Sequence, residues 1–416
     1  MGILQEDAVV ITRSENGSDP TVITVNCPDK TGLGCDLCRI ILQFGLSICR
    51  GDLSTDGKWC YLLFWLEGRP TTRWNLLKNR LLDACPSYFS TSEIEYYWRP
   101  ENKQTRPPDV FLLKFWCSYD RKGLLHAVTE VLCELELTIK RVKVSTTPDG
   151  RVMDLFFVTD SRGLLHTKKR QEETINHLRA VLGDTMASCE IELARQEVTA
   201  CSQGSPFLPS AITEETSSLE LLDGNQSSSH FSNPVFVSMD NSLSPSHTIV
   251  QIECQDHKGL IYDIMRTLKD LNIQISYGRF WANSRGNCEV EFFTMHADGS
   301  KIVDLTEQND LSSCLKRELR SPLKVAVGSR GPETELLVAN PVELSGRGRP
   351  LVFYDITSAL ENLNTGIFSV EIGRHMICNR EWEVYRILLD ERDSSCVPRK
   401  KIEEGVRNQL MGWDRG

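Results

Sequence analysis

No stretch of this 416-residue chain approaches the roughly 18 uninterrupted apolar residues of a membrane span, so no membrane association is expected. Positive charge is also short. The chain has 47 Lys and Arg against 57 Asp and Glu, a formal net charge of −10. That balance argues against a nucleic-acid partner, which needs a positive face to displace counterions. Met1 to Asp7 lack the basic region and apolar core of a secretory leader, and Glu6 stands where a myristoylation motif wants Ser or Thr. The eight histidines show no metal-ligand pairing, and the only CxxC, Cys35/Cys38, has no second pair at zinc-finger spacing. Gly346-Arg347-Gly348 lacks the Lys-Ser/Thr of a phosphate loop. With no nucleophile, acid/base pair or cofactor motif in view, the expectation is a chain without catalytic residues, metal or cofactor.

Cysteine, by contrast, is plentiful. Fifteen is an odd number, which fits free thiols in a reducing compartment, cytoplasmic or nuclear. Most sit among apolar residues, as Cys60, Cys117, Cys133 and Cys254 do, and read as small packing side chains. A hydrophobic content of 40% with 25% charged residues is that of an ordinary globular chain, and the length suggests several domains.

Self-comparison organises the whole sequence. Asp29-Lys30-Thr31-Gly32-Leu33, Asp120-Arg121-Lys122-Gly123-Leu124 and Asp256-His257-Lys258-Gly259-Leu260 each follow a strand-like run. Each opens an apolar stripe with helical spacing: Leu33, Leu37, Ile41, Phe44; Leu124, Val128, Leu132, Leu135; Leu260, Ile264, Leu268, Leu271. The stripe returns a fourth time at Val352, Ile356, Leu360 and Leu363, but there the loop reads Ser345-Gly346-Arg347-Gly348-Arg349-Pro350. An isoleucine follows each stripe at the same distance (Ile48, Ile139, Ile275, Ile367), and then come two β-rich runs and a more polar helix. Final strands are expected at Glu93 to Trp98, Ser188 to Leu193 and Leu323 to Val327.

The unit is β-α-β-β-α-β over about 80 residues, the α+β ferredoxin-like arrangement of an antiparallel sheet with two helices on one face. Modules are expected at 20–98, 110–194, 247–328 and 333–413, the last without its closing strand. Thirteen serines and no periodicity mark 195–246 as a disordered linker, so modules are expected to pair on either side of it, one with two and three with four.

A β-α-β-β-α-β unit with Asp-x-x-Gly-Leu at its first strand-to-helix turn resembles the ACT domain, and four in tandem resemble the plant ACT-domain repeat proteins. The resemblance implies a regulatory module that binds free amino acids where two such domains meet. It also implies a protein partner such as a metabolic enzyme, and a homodimer formed through the modules. The alternative is a scaffold whose modules bind no ligand.

Physical chemistry makes the loop suitable. A helix start offers unpaired N–H groups and partial positive charge to a carboxylate. Asp29, Asp120 and Asp256 could accept from an ammonium group, or simply cap the helix. Gly32, Gly123 and Gly259 would admit either a ligand or a neighbouring module. Leu33, Leu124 and Leu260 complete the candidate ligand-binding set and double as core residues. His126 and His257, near these loops, read as solvated surface side chains.

Overall fold

The computed structural model describes residues 8–13, 20–67, 72–86, 109–119, 123–146, 151–160, 162–194, 234–283, 286–331, 333–377, 380–390 and 397–412. Module one holds β1 (Val9–Thr12), β2 (Thr21–Pro28), α1 (Leu33–Gln43), β3 (Ser47–Thr55), β4 (Trp59–Glu67) and α2 (Trp74–Ala84). Module two holds β5 (Val110–Cys117), α3 (Leu124–Glu134), β6 (Leu137–Thr146), β7 (Val152–Asp160), α4 (Lys168–Leu182) and β8 (Met186–Leu193). Module three follows with β9 (Phe236–Asp240), β10 (Thr248–Gln255), α5 (Leu260–Asp270), β11 (Ile273–Ala282), β12 (Asn287–His296) and α6 (Leu305–Arg320). Module four has β13 (Lys324–Arg330), β14 (Glu333–Pro341), α7 (Val352–Asn362), β15 (Gly366–Ile377), β16 (Arg380–Asp390) and α8 (Arg399–Met411).

The apolar stripes become the buried faces of the first helices: Leu37, Ile41, Val128, Leu132, Ile264, Ile356 and Leu360 are all at most 1% exposed. One stripe position departs from expectation. Leu271, just past the end of α5, is 43% exposed. Each recurrent isoleucine ends a turn of backbone that repeats closely. The ladder between the two middle strands shifts register directly after Ile48, Ile139, Ile275 and Ile367, a β-bulge in the same place four times. Three residues before each isoleucine the chain takes a left-handed residue: Gly45, Glu136, Asn272 and Asn364.

Closing strands depart from the sequence reading. In module two β8 returns to pair with β5, as expected. In modules one and three the edge position beside the first core strand is taken by a strand that precedes it, β1 on β2 and β9 on β10. Leu323 to Val327 therefore does not close module three. Its strand, β13, turns at Gly331 straight into β14 and forms the edge of the fourth sheet. A tight hairpin costs little chain entropy, and the edge of β10 is already filled. The fourth module thus has four strands, all of which precede α8 among the described residues. Residues 236–240, within the stretch read as linker, are strand β9. The expected strand at Glu93 to Trp98 lies outside the described residues, as do 195–233 of that stretch.

The pairing of modules also differs. The chain forms two compact units, one from the described parts of 1–102 and 226–322, the other from those of 103–225 and 323–416. Module one pairs with three and two with four, rather than one with two and three with four. In the first unit β3 hydrogen-bonds antiparallel to β11, from Arg50↔Trp281 to Ser54↔Tyr277, which fuses two four-stranded sheets into one of eight strands. In the second unit β6 and β15 lie alongside each other, yet the two sheets stay separate.

One pair of equivalent positions differs between the two units. Gly51 and Gly278 occupy equivalent places on β3 and β11, and a Cβ on Gly51 would stand 2.6 Å from Phe280 Cε1. The equivalent residues on β6 and β15 are Val142 and Val370, both 1% exposed. The second unit thus carries valine where the first carries glycine, and its two sheets stay separate. One core nevertheless runs through both modules of the second unit, from Phe115 and Phe156 to Ile356 and Ile387.

Two outcomes are expected. Cleavage at a protease site engineered within 196–233 should leave the fragments carrying modules one–two and three–four co-eluting in size-exclusion chromatography. Separation without denaturant would refute the one–three and two–four pairing. Gly51→Val should lower stability by roughly 2–4 kcal/mol in urea unfolding, because overpacking at the junction displaces Phe280.

Candidate functional site

The Asp-x-x-Gly-Leu loops converge on one backbone device. Gly32, Gly123 and Gly259 are the N-caps of α1, α3 and α5, each left-handed with φ of 77° or 78° and none making a side-chain cap. L-residues with side chains pay for that conformation, so the glycines are required by the backbone. In module four Leu351 takes the same place with φ 63°, preserving the turn despite its different sequence. The aspartates are therefore not N-caps.

Asp29 instead braces its loop. Its Oδ1 accepts from the Lys30 amide at 2.7 Å, and its Oδ2 accepts from Thr55 Oγ1, at the end of β3. The Asp256 amide donates to the Gly286 carbonyl at 2.9 Å, tying the third loop to the next turn. Asp120 lies outside the described residues. Leu33, Leu124 and Leu260 are core side chains, 1–3% exposed.

In the first unit the loop of module one meets module three. The aliphatic stem of Lys269, in the last turn of α5, lies on Gly32, where a Cβ would stand 2.7 Å from Lys269 Cε. Lys269 Nζ pairs with Asp36 Oδ1 at 3.1 Å, and Lys30 Nζ pairs with the other oxygen at 3.3 Å. Asp36 is 5% exposed, so this ion pair is shielded from solvent on the carboxylate side. Beside it opens a cleft of about 100 Å³. Module one contributes Asp29 to Cys35, Thr55 and Cys60; module three contributes Met265, Leu268 and Asn272 to Ile275. The first turn of α1 thus faces the start of β11 across the cleft. Most of the wall is apolar, and Asp29, Thr55, the two lysines and Asn272 are among the polar residues lining it.

The second unit carries the same geometry with different chemistry. Where Lys269 covers Gly32, the carboxylate of Glu361 covers Gly123, with its Cδ 2.8 Å from a Cβ placed there. His126 joins it: Nε2 stands 3.9 Å from Glu361 Oε2, Nδ1 lies 2.9 Å from Thr357 Oγ1, and the ring meets Tyr354 at 4.8 Å. The expectation of a solvated His126 is corrected by these contacts between α3 and α7. His257 is likewise buried, 8% exposed, with Nδ1 3.1 Å from the Lys258 carbonyl oxygen. Cys35 and Cys38 are packing residues, and the Cys38 thiol donates to Met265 Sδ at 3.5 Å across the α1–α5 contact.

Sequence reasoning missed Asp36 and Lys269. A signal for the first was present: Asp36, Asp263 and Asp355 recur four residues after the left-handed cap. Lys269 carried none, because its role depends on which module faces which.

Comparison with known proteins places this geometry in context. The chain is 56% identical over 417 residues to the ACT domain-containing protein ACR10 of Arabidopsis thaliana, covering 100% of both chains. It belongs to the plant ACT-domain repeat family. A second Arabidopsis thaliana relative, ACT domain-containing protein ACR9, is 52% identical over 420 residues, covering 99% of this chain and 100% of the relative. The ACT domain-containing protein ACR8 is 24% identical over 338 residues, 78% of this chain and 71% of that one. Domain families match piecewise: ACR10 N-terminal over 11–86, the ACR9-like ACT-like domain over 236–333 and ACR9 C-terminal over 334–412. The chain is an ACT-domain repeat protein of the regulatory class.

The contact at Gly32 yields a test. Gly32→Ala should cost roughly 2–3 kcal/mol, from the left-handed backbone and from collision with the Lys269 stem. In a Lys269→Ala background the collision disappears and the cost should fall toward the backbone component alone. Equal costs in both backgrounds, measured by urea unfolding as a double-mutant cycle, would show that the stem does not rest on the glycine.

Proposed function

We propose that this chain is a non-catalytic amino-acid sensor. In this reading a free amino acid occupies the cleft between ACT modules one and three and biases the unit toward a state that partner proteins recognise. The observation carrying the reading is the cleft itself, where the uncapped first turn of α1 and the Asp29 carboxylate open onto one small, largely apolar space.

Each part of a zwitterion has a counterpart there. The first-turn amide of α1 at Gly34 suits a carboxylate, since a helix start carries partial positive charge. Asp29 suits the ammonium group. Leu53, Leu62, Met265, Leu268, Ile273 and Ile275 suit a small uncharged side chain. A volume of about 100 Å³ holds roughly three waters at about 30 Å³ each, the scale of a small amino acid. Binding across two modules would tighten their contact, which gives a ligand purchase on a partner-facing state.

Calorimetry of the full chain against the common amino acids tests the proposal. Binding is expected for at least one small uncharged amino acid. Asp29→Asn, which retains the amide contact and removes the charge, should weaken it ten- to a hundredfold, as for loss of a charge-assisted hydrogen bond worth roughly 1.5–3 kcal/mol. Unliganded melting should be unchanged. If the wild type binds no amino acid, the modules act as a scaffold.

A further inference from the structure

Three thiols gather at the foot of module one's sheet. Cys27, near the end of β2, is the cross-strand partner of Cys60 on β4, and their sulfurs stand 3.6 Å apart. Cys85, just past the end of α2, is buried beside them and its thiol is influenced by Cys27. All three are free thiols. They are enclosed but graded, with exposures of 1%, 2% and 8% for Cys27, Cys60 and Cys85. Cys60 also forms part of the cleft wall.

We propose that Cys27, Cys60 and Cys85 form an oxidisable site that closes a Cys27–Cys60 disulfide, with Cys85 as the thiol through which oxidation enters. Geometry favours the bond. Directly opposed residues of an antiparallel pair stand about 4.5–5.5 Å apart at Cα, within the roughly 4.4–6.8 Å that disulfides bridge. The sulfurs must approach from 3.6 Å to about 2.05 Å, a side-chain movement that leaves the ladder in place.

Chemistry assigns the order. The hydrogen bond from Cys27 draws the Cys85 thiol below the ordinary range, against burial and with help from the Lys30 ammonium. Cys27, donating to its neighbours and buried, is pushed far up. Thiolate character and access both select Cys85. With a peroxide as oxidant, the Cys85 thiolate attacks one peroxide oxygen, the O–O bond breaks, and a sulfenic acid forms while water leaves. Oxidation of Cys85 removes the thiolate that holds the Cys27 proton in place; Cys27 then gives that proton to the departing hydroxyl as its sulfur attacks the Cys85 sulfur, the S–OH bond breaks, and a second water leaves. Finally the Cys60 sulfur attacks Cys27 and expels Cys85, which regains its proton; the thiol of lower pKa leaves faster. Two thiols and one peroxide become one disulfide and two waters. The same strand register recurs in module three, where Cys254 faces Cys288, and supplies an internal comparison.

The test needs no amino-acid ligand, so it stands apart from the sensor reading. The full chain is exposed to hydrogen peroxide, quenched by alkylation in denaturant and mapped by peptide mass spectrometry. The expected product is a crosslinked peptide pair joining Cys27 and Cys60, lighter by two hydrogen atoms, reversed by dithiothreitol and formed before any Cys254–Cys288 link. Cys85→Ser should slow it by about tenfold or more, reflecting loss of the more reactive thiolate. Cys60→Ala should trap a Cys27–Cys85 link instead. The proposal fails if Cys27 and Cys60 remain alkylatable after oxidation, if Cys254–Cys288 forms first, or if Cys85→Ser leaves the rate unchanged.

Discussion

The antiparallel contact between β3 and β11 is the constraint on which the first unit depends. Strand pairing at a sheet junction requires backbones to approach within about 4.8 Å. At this junction the required space exists because position 51 has no side chain and Phe280 lies where one would be. The register centres on Asp52↔Arg279, so opposite charges face each other at the middle of the join. On either side Gly51 meets Phe280 and Gly278 meets Leu53, one arrangement read in both directions. Among the described residues the second unit has no such junction. With Val142 and Val370 at these positions its sheets remain four-stranded, and cohesion comes from a continuous apolar core instead.

The cleft is a consequence of that join. Once β3 and β11 are neighbours, α1 and α5 must lie against each other, and the end of α5 arrives over the start of α1. Lys269 then has one place to put its stem, across Gly32, and one place to put its charge, against Asp36. The left-handed residue at Asn272 turns the chain at the edge of the cleft and sends β11 along its wall. A local loop motif becomes a two-module site only through strand pairing far along the chain.

This explains which parts were legible in the sequence. The modules, their helix stripes, the glycine turns and the buried first leucines could all be read, because each is set by contacts within about forty residues. Pairing could not. The serine-rich stretch suggests a division between two and three, but apolar edges such as Ile48–Leu53 and Ile275–Phe280 do not state their partners in a linear pattern. Edge strands failed for a related reason: Phe236–Asp240 and Val9–Thr12 are short and exposed on one side, so neither burial nor periodicity marks them. Leu323 to Val327 was read correctly as a strand and given to the wrong sheet, since a hairpin through Gly331 competes better than a return across α6. His126 looked solvated because the surface that covers it, on α7, belongs to a distant segment.

The four copies repeat their backbone more faithfully than their side chains, and that is where the two units part in chemistry. The position ten residues after the left-handed cap is Leu42, Cys133, Lys269 and Glu361 in turn. In each unit, then, one module brings a charge to its partner's loop, while the other carries an uncharged residue at that position. Lys269 crosses to Gly32 and Glu361 crosses to Gly123, while Cys133, pushed up to about 12 by burial with Asp355 adding to it, is the neutral group on the opposite side. The pairs are symmetric in fold and unequal in surface. A ligand that suits a lysine-lined loop meets a carboxylate at the corresponding place in the second unit, so duplication of the module has not duplicated the site.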